Sequence, residues 1–146
     1  MISYLLDTSC LVAAVCGWHR HHEATRREIE RRDAAGEKLV LPAHSLVEAF
    51  SVLTRLPESH RLRPDDALAL IEANWGETRL VALAGSDYRA TLRRCRDVGI
   101  GGGAVYDALI AACARKAGVE TLLTWDTEGF ERFLEDEPAV KAPEER

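Results

Sequence analysis

The sequence predicts an α/β domain in three layers, a parallel sheet with helices on both faces. Three observations lead there. Short apolar runs alternate with segments of helical periodicity along the chain. No hairpin signal such as Asn-Gly joins two apolar runs, so consecutive strands are linked by helices rather than by tight turns. The length of 146 residues, with 47% hydrophobic and 29% charged side chains, fits one domain with a single core.

The elements follow in order. Residues 2–6 are an apolar run read as a buried strand. Asp7-Thr8-Ser9 ends it and can cap a helix over residues 10–16, which stops at Gly17. Residues 23–35 form a charged helix closed by Gly36, and residues 39–41, before Pro42, a second strand. Residues 43–56 carry Leu46, Ala49, Phe50 and Leu53 at helical spacing, and Pro57 ends that helix. Pro64-Asp65-Asp66 opens another that runs to Trp75. Residues 79–83 are a third strand and 86–98 a helix. A glycine-rich connector leads to the helix over residues 104–117, stopped by Gly118. Residues 121–124 are the fourth strand and 127–134 a last helix. The domain so defined covers residues 1–134. Residues 135–146 gather acids around Pro138 and Pro143 and read as an acidic, flexible tail.

Composition narrows the class. The net charge is −5, divided into +1 over residues 1–118 and −6 over residues 119–146, which argues against holding nucleic acid by bulk electrostatics alone. No apolar run approaches the roughly 18–20 residues of a bilayer-spanning helix, and the N-terminus lacks a basic leader, so no membrane role is expected. Cys10, Cys16, Cys95 and Cys113 form no CxxC pair and fall in apolar helical patterns. They read as reduced core thiols of a cytoplasmic protein.

In a parallel sheet of this kind, chemistry collects beyond the carboxyl ends of the strands. Asp7 ends the first strand, and Asp126 lies two residues past the fourth. Glu48 sits within a helix that is otherwise apolar or hydroxylated, apart from His44. Asp107 is the only charge between Ile100 and Arg115. Each acid has a structural explanation when taken alone. Asp7 and Asp126 can cap helices, Asp107 lies in a first turn where the helix dipole favours an anion, and Glu48 could pair with Arg55. Together, four acids with no lysine nearby need a cation or raised pKa values. Oxygen-only ligands suit Mg²⁺ or Mn²⁺ rather than zinc, and such an ion can activate water against a phosphodiester.

Leu5-Leu-Asp-Thr-Ser9, Val47-Glu-Ala-Phe-Ser-Val-Leu-Thr-Arg55, Gly102-Gly-Ala-Val-Tyr-Asp-Ala-Leu-Ile-Ala-Ala111 and Thr121-Leu-Leu-Thr-Trp-Asp-Thr-Glu-Gly-Phe130 occur in this order. With them the sequence resembles the PIN-domain ribonucleases, most closely the VapC-type toxins of bacterial toxin–antitoxin pairs, over about residues 1–134. The resemblance implies a PIN-like fold and metal-dependent endoribonuclease activity that leaves 5′-phosphate and 3′-hydroxyl ends. It makes Asp7, Glu48, Asp107 and Asp126 the catalytic, metal-binding acids. It also implies an RNA substrate, a small cognate antitoxin and a homodimer. Thr8 or Ser9 matches a hydroxyl residue that follows the first acid, and Thr124 the threonine before the fourth; helix capping explains these hydroxyls equally well. Arg20 is a further candidate for contact with RNA.

Other signals are weaker. Gly99-Ile-Gly101-Gly-Gly103-Ala104 matches a dinucleotide fingerprint but follows a helix instead of a strand. The cluster His19-Arg20-His21-His22 has no partner at zinc-ligand spacing on a second element. Trp18, Trp75 and Trp125 read as core or interface anchors before base-stacking platforms. A response-regulator receiver would need an acid after its middle strand, where Ala84-Gly85 stand, and a dehalogenase-like phosphatase an acid at Ser9. The alternative retained is a PIN-like domain that binds RNA or protein without cutting.

Overall fold

The computed structural model describes residues 1–143. The first apolar run forms β1 (Ser3–Leu6), and Asp7 caps α1 (Thr8–Val15). There follow α2 (His22–Ala34), β2 (Lys38–Pro42), α3 (Ala43–Thr54) and α4 (Pro64–Trp75). Then come β3 (Arg79–Val81), α5 (Gly85–Val98), a 3-10 turn at Gly102–Ala104 and α6 (Val105–Ala117). β4 (Thr121–Leu123), α7 (Thr127–Glu131) and β5 (Ala139–Lys141) complete the chain.

The strands make one five-stranded parallel sheet in the order β3-β2-β1-β4-β5. β1 lies in its middle and is covered on both sides. Tyr4 and Leu6 pack with Leu11, Leu41, Leu53, Ile71 and Trp75. Leu5 packs on the other face with Val40, Ala111, Leu122, Phe130 and Phe133. A strand buried on both faces has no polar side to alternate with, which is why Tyr4-Leu5-Leu6 has no polar residue between its members. All four cysteines are free and buried in these layers. Among the described residues no helix is long and apolar enough to cross a membrane.

The sheet order places the site. From β1 the chain turns to β2 on one side, while β4 lies on the other. The order therefore reverses between β1 and β4, and their carboxyl ends splay apart to leave a crevice. The register sets Leu6 beside Leu123, and the Asp7 N–H donates to Leu123 O at 3.1 Å, so Asp7 and Thr124 leave the sheet together.

Two features differ from the sequence reading. α7 stops at Glu131, short of residue 134, and Phe133 O accepts from Arg94 at 3.2 Å and Arg115 at 3.0 Å. More consequentially, residues 139–141, expected in a flexible tail, form β5. Its pairing is carried by backbone, with Thr124 N donating to Lys141 O at 2.9 Å and Ala139 N to Glu120 O at 3.0 Å. Three residues behind an acidic run and Pro138 give periodicity nothing to detect. The acids Glu144 and Glu145 lie outside the described residues.

Helix α6 ends at Gly118 with φ 68° and ψ 30°, and a Cβ placed there would meet nothing within 4 Å. The cost of a side chain at that position is therefore purely conformational. Gly118→Ala should lower stability by about 1–2 kcal/mol. Urea unfolding should show a lower midpoint with an unchanged slope; an unchanged midpoint would contradict the left-handed cap.

Candidate active site

Asp7 is only 5% exposed, at the carboxyl end of β1. Its Oδ1 accepts from Ser9 Oγ at 2.7 Å and from the Cys10 N–H at 3.0 Å, the second bond capping α1. Its Oδ2 accepts from Thr124 Oγ1 at 2.6 Å. The same Thr124 oxygen accepts the N–H of Asp126 at 2.9 Å. Ser9 makes the matching link, its Oγ accepting from the Trp125 N–H at 3.2 Å. Two hydroxyls thus tie the loop after β1 to the loop after β4. Despite these bonds, burial pushes the Asp7 carboxyl above its usual range.

Asp126 also caps a helix, its Oδ1 accepting from the Gly129 N–H at 3.2 Å. Capping and site residue are one and the same at both positions, so the structural explanation of each acid is correct without displacing the functional one. Asp107 comes from the first turn of α6. A Cβ built on Gly129 would lie 3.2 Å from Asp107 Oδ2 and 2.9 Å from Asp126 Cγ. A side chain at position 129 would crowd both carboxylates, Asp126 most closely, and would have to push them aside.

Glu48 points from α3 into the same cleft, of about 490 Å³, lined also by Asp7, Asp107, Asp126, Thr8, Ser9 and Arg20. Its partner is His44 one turn earlier, Nε2 to Oε2 3.0 Å, and not Arg55. His44 stacks on Tyr106, centroids 5.5 Å apart and planes 7° apart. The structure brings all four predicted acids to one cleft, with Thr124 immediately behind them.

Asp107 reports their mutual repulsion. Burial, then the charges of Asp126 and Asp7, raise its carboxyl to about 6, with Glu48 adding and Arg132 opposing. No lysine lines the cleft; the nearby cations are Arg20 and Arg132. Thr8 Oγ1 is buried there with no hydrogen-bond partner among the described residues. Oxygen donors, uncompensated negative charge and an orphaned hydroxyl fit a hard divalent cation with its water. Among the described residues, no three His, Cys, Asp or Glu side chains already stand as a ready coordination group.

Sequence reasoning missed Gly129, His44 and the packing of His21 on Trp125. The four-residue spacing of His44 and Glu48 is a usable signal. The stacking of His21 on Trp125 joins distant segments, and Gly129 is crowded by Asp126 nearby and by Asp107 from another helix. His21 stacks on Trp125 at 3.7 Å, and burial with His21 and Arg20 alongside holds His19 below the usual histidine range.

The family described as PIN domain matches residues 4–134. Ribonuclease VapC40 of Mycobacterium tuberculosis is 39% identical over 127 residues, 87% of this chain and 89% of the relative. Ribonuclease VapC27 of the same organism is 35% identical over 115 residues, 79% of each. Among solved structures, VapBC2 from Rickettsia felis, bound to a DNA fragment from its promoter, matches with a TM-score of 0.69 at 16% identity. That match covers 96% of this chain and 97% of the other, and is a likeness of fold.

The raised carboxyl of Asp107 has a signed consequence for stability without metal. Between the unfolded value near 3.8 and about 6, the folded state keeps a proton that the unfolded chain has lost. Stability therefore falls as pH rises through this window. Asp107→Asn should remove much of that fall, leaving the part due to Asp7. In EDTA at pH 7.5 it should be about 1 kcal/mol more stable than wild type, a figure reduced for the solvent that reaches a half-open group. Urea unfolding at pH 4 and 7.5 checks this, and a variant less stable at pH 7.5 would make Asp107 a structural acid.

Proposed function

The chain belongs to the PIN-domain family and to the VapC-type ribonucleases within it, and from that premise we propose that it is a metal-dependent endoribonuclease, the toxin of a toxin–antitoxin pair. The observation that carries the reading is the convergence of Asp7, Glu48, Asp107 and Asp126 on one cleft at the point where the strand order reverses.

Asp7, Asp107, Glu48 and Asp126 are the residues that would hold Mg²⁺ or Mn²⁺. A hard divalent ion supplies Lewis-acid charge to a phosphodiester and makes water nucleophilic at neutral pH. The chain's own part is orientation. Ser9, Thr124 and the Cys10 N–H fix the Asp7 carboxylate before any ligand arrives. Gly129 leaves space for Asp107 and Asp126 to close on a shared ligand. Thr8, with its hydroxyl unengaged, and Arg20, exposed at the rim, are the substrate contacts we assign. Ser9 and Thr124 act as braces behind them. Four reduced, buried cysteines fit a cytoplasmic setting.

A protein partner has a surface to use. Leu46, Val47, Phe50, Leu68, Ile71 and Trp75 line a groove of about 410 Å³ between α3 and α4, with Val47 70% exposed. Apolar area left open in this way marks an interaction site. The small cognate antitoxin, or a second copy of the chain in a homodimer, would cover it.

Purified protein should cut single-stranded RNA with millimolar Mg²⁺ or Mn²⁺ and lose the activity in EDTA. Asp7→Asn and Asp107→Asn should abolish cutting while remaining folded. Metal at roughly 100 times its Kd should stabilise wild type by about 2.7 kcal/mol and Asp107→Asn by far less. Full activity in EDTA, or in either variant, would refute the mechanism. Co-expression with the product of the adjacent short reading frame should yield a stable complex with suppressed cleavage. Separate elution of the two at micromolar concentration would count against the toxin role.

A further inference from the structure

An RNA substrate would meet a chain of net charge −5 and a cleft lined by four carboxylates, so bulk attraction to phosphate is not what holds it. The mouth of the same cleft offers another source of affinity. Trp125, next to Asp126, stacks on His21 with centroids 3.7 Å apart and planes 9° apart. His21 meets His19 at 5.7 Å, and His19 meets Trp18 at 5.9 Å. Trp18 in turn stacks on His60, 4.2 Å away with planes 21° apart. The rings are in unbroken contact from the connection between α3 and α4 to the edge of the carboxylate site.

The inner end is rigid. Trp125 Nε1 donates to Thr25 Oγ1 at 2.9 Å, and Thr25 Oγ1 donates to His21 O at 2.7 Å. The His21 N–H donates to His19 Nδ1 at 3.0 Å. The outer end is open, with Trp18 49% exposed and His60 exposed. Packing in the core does not account for it. Arg20 stands between His19 and His21 in sequence, exposed and without an ion-pair partner among the described residues. Planar rings held in place before a ligand arrives lose little entropy on binding, and every nucleobase has a π-face to lay against them.

We propose that these rings are a stacking track for unpaired nucleobases, which leads a single RNA strand into the carboxylate cleft while Arg20 takes a backbone phosphate. The inference rests on the nuclease reading above and names the rings that would take its substrate's unpaired bases; duplex, whose bases already stack on each other, would not engage them.

Binding to the full chain in EDTA, read by anisotropy of a labelled short oligoadenylate, separates this from cleavage. An abasic oligomer of equal length keeps the phosphates and removes the bases. Wild type should bind the oligoadenylate about 10-fold or more tightly than the abasic strand. Trp18→Ala should weaken oligoadenylate binding about 10-fold and leave abasic binding unchanged, with Trp18→Phe retaining most of the affinity. Arg20→Ala should instead lower the slope of log K against log salt by about 0.7 for both strands. His60→Ala, in an exposed loop, serves should Trp18→Ala fail to fold. Equal affinity for the two strands, or folded Trp18→Ala and His60→Ala variants that bind like wild type, would overturn the track. A wild-type protein that cuts RNA with Mn²⁺ yet fails these contrasts loses the track alone; one that neither cuts nor binds RNA loses the nuclease reading as well.

Discussion

Thr124 donates to Asp7 at 2.6 Å and accepts the N–H of Asp126 at 2.9 Å, so one hydroxyl fastens the ends of two neighbouring strands and two acids at once. It can do so only because β1 and β4 are adjacent and in register, Leu6 beside Leu123. The backbone of Thr124 is itself held from the far side by Lys141 O at 2.9 Å. The site is thus an extension of the sheet's own hydrogen-bond pattern past the last paired residues. The side chains that project there inherit the precision of the strands.

That precision is used against stability. Asp7 is buried and Asp107 half-buried among other acids, and both carboxyls are pushed upward in pKa as a result. A fold selected for stability alone would place apolar or amide side chains at such positions. What keeps the arrangement together is that the acids also serve the fold. Asp7 and Asp126 each satisfy a helix N-terminus, so part of their desolvation is offset by backbone N–H groups that would otherwise lack a partner.

Much of this was legible in the sequence, for a definite reason. The central strands are covered on both faces and α3 carries one apolar stripe, so their patterns report them directly, while the charged α2 is marked by its closing Gly36. Glu48 and Asp107 stood out because each interrupts an apolar helix, and Asp7 and Asp126 because each follows the end of a strand. What escaped was whatever depends on a neighbour far along the chain or on backbone alone. β5 is joined through main-chain bonds and has no side-chain pattern. Gly129 is crowded by Asp126 three residues before it and by Asp107 from another helix, and the second contact has no local signature. The ring contacts join residues 18, 19, 21, 60 and 125, so the histidine cluster looked like an isolated run.

The sheet order has a consequence for biosynthesis. Within this domain β1 is made before every other strand, yet its neighbour β4 and the outer β5 are made after all the rest. Translation proceeds from the N-terminus, and early segments wait for later ones. A nascent polypeptide that has passed β1 but not yet β4 therefore carries Asp7 without Thr124 to orient it and without Asp126 beside it. The cleft therefore comes together late relative to its first acid, because its walls are drawn from both ends of the PIN-domain span.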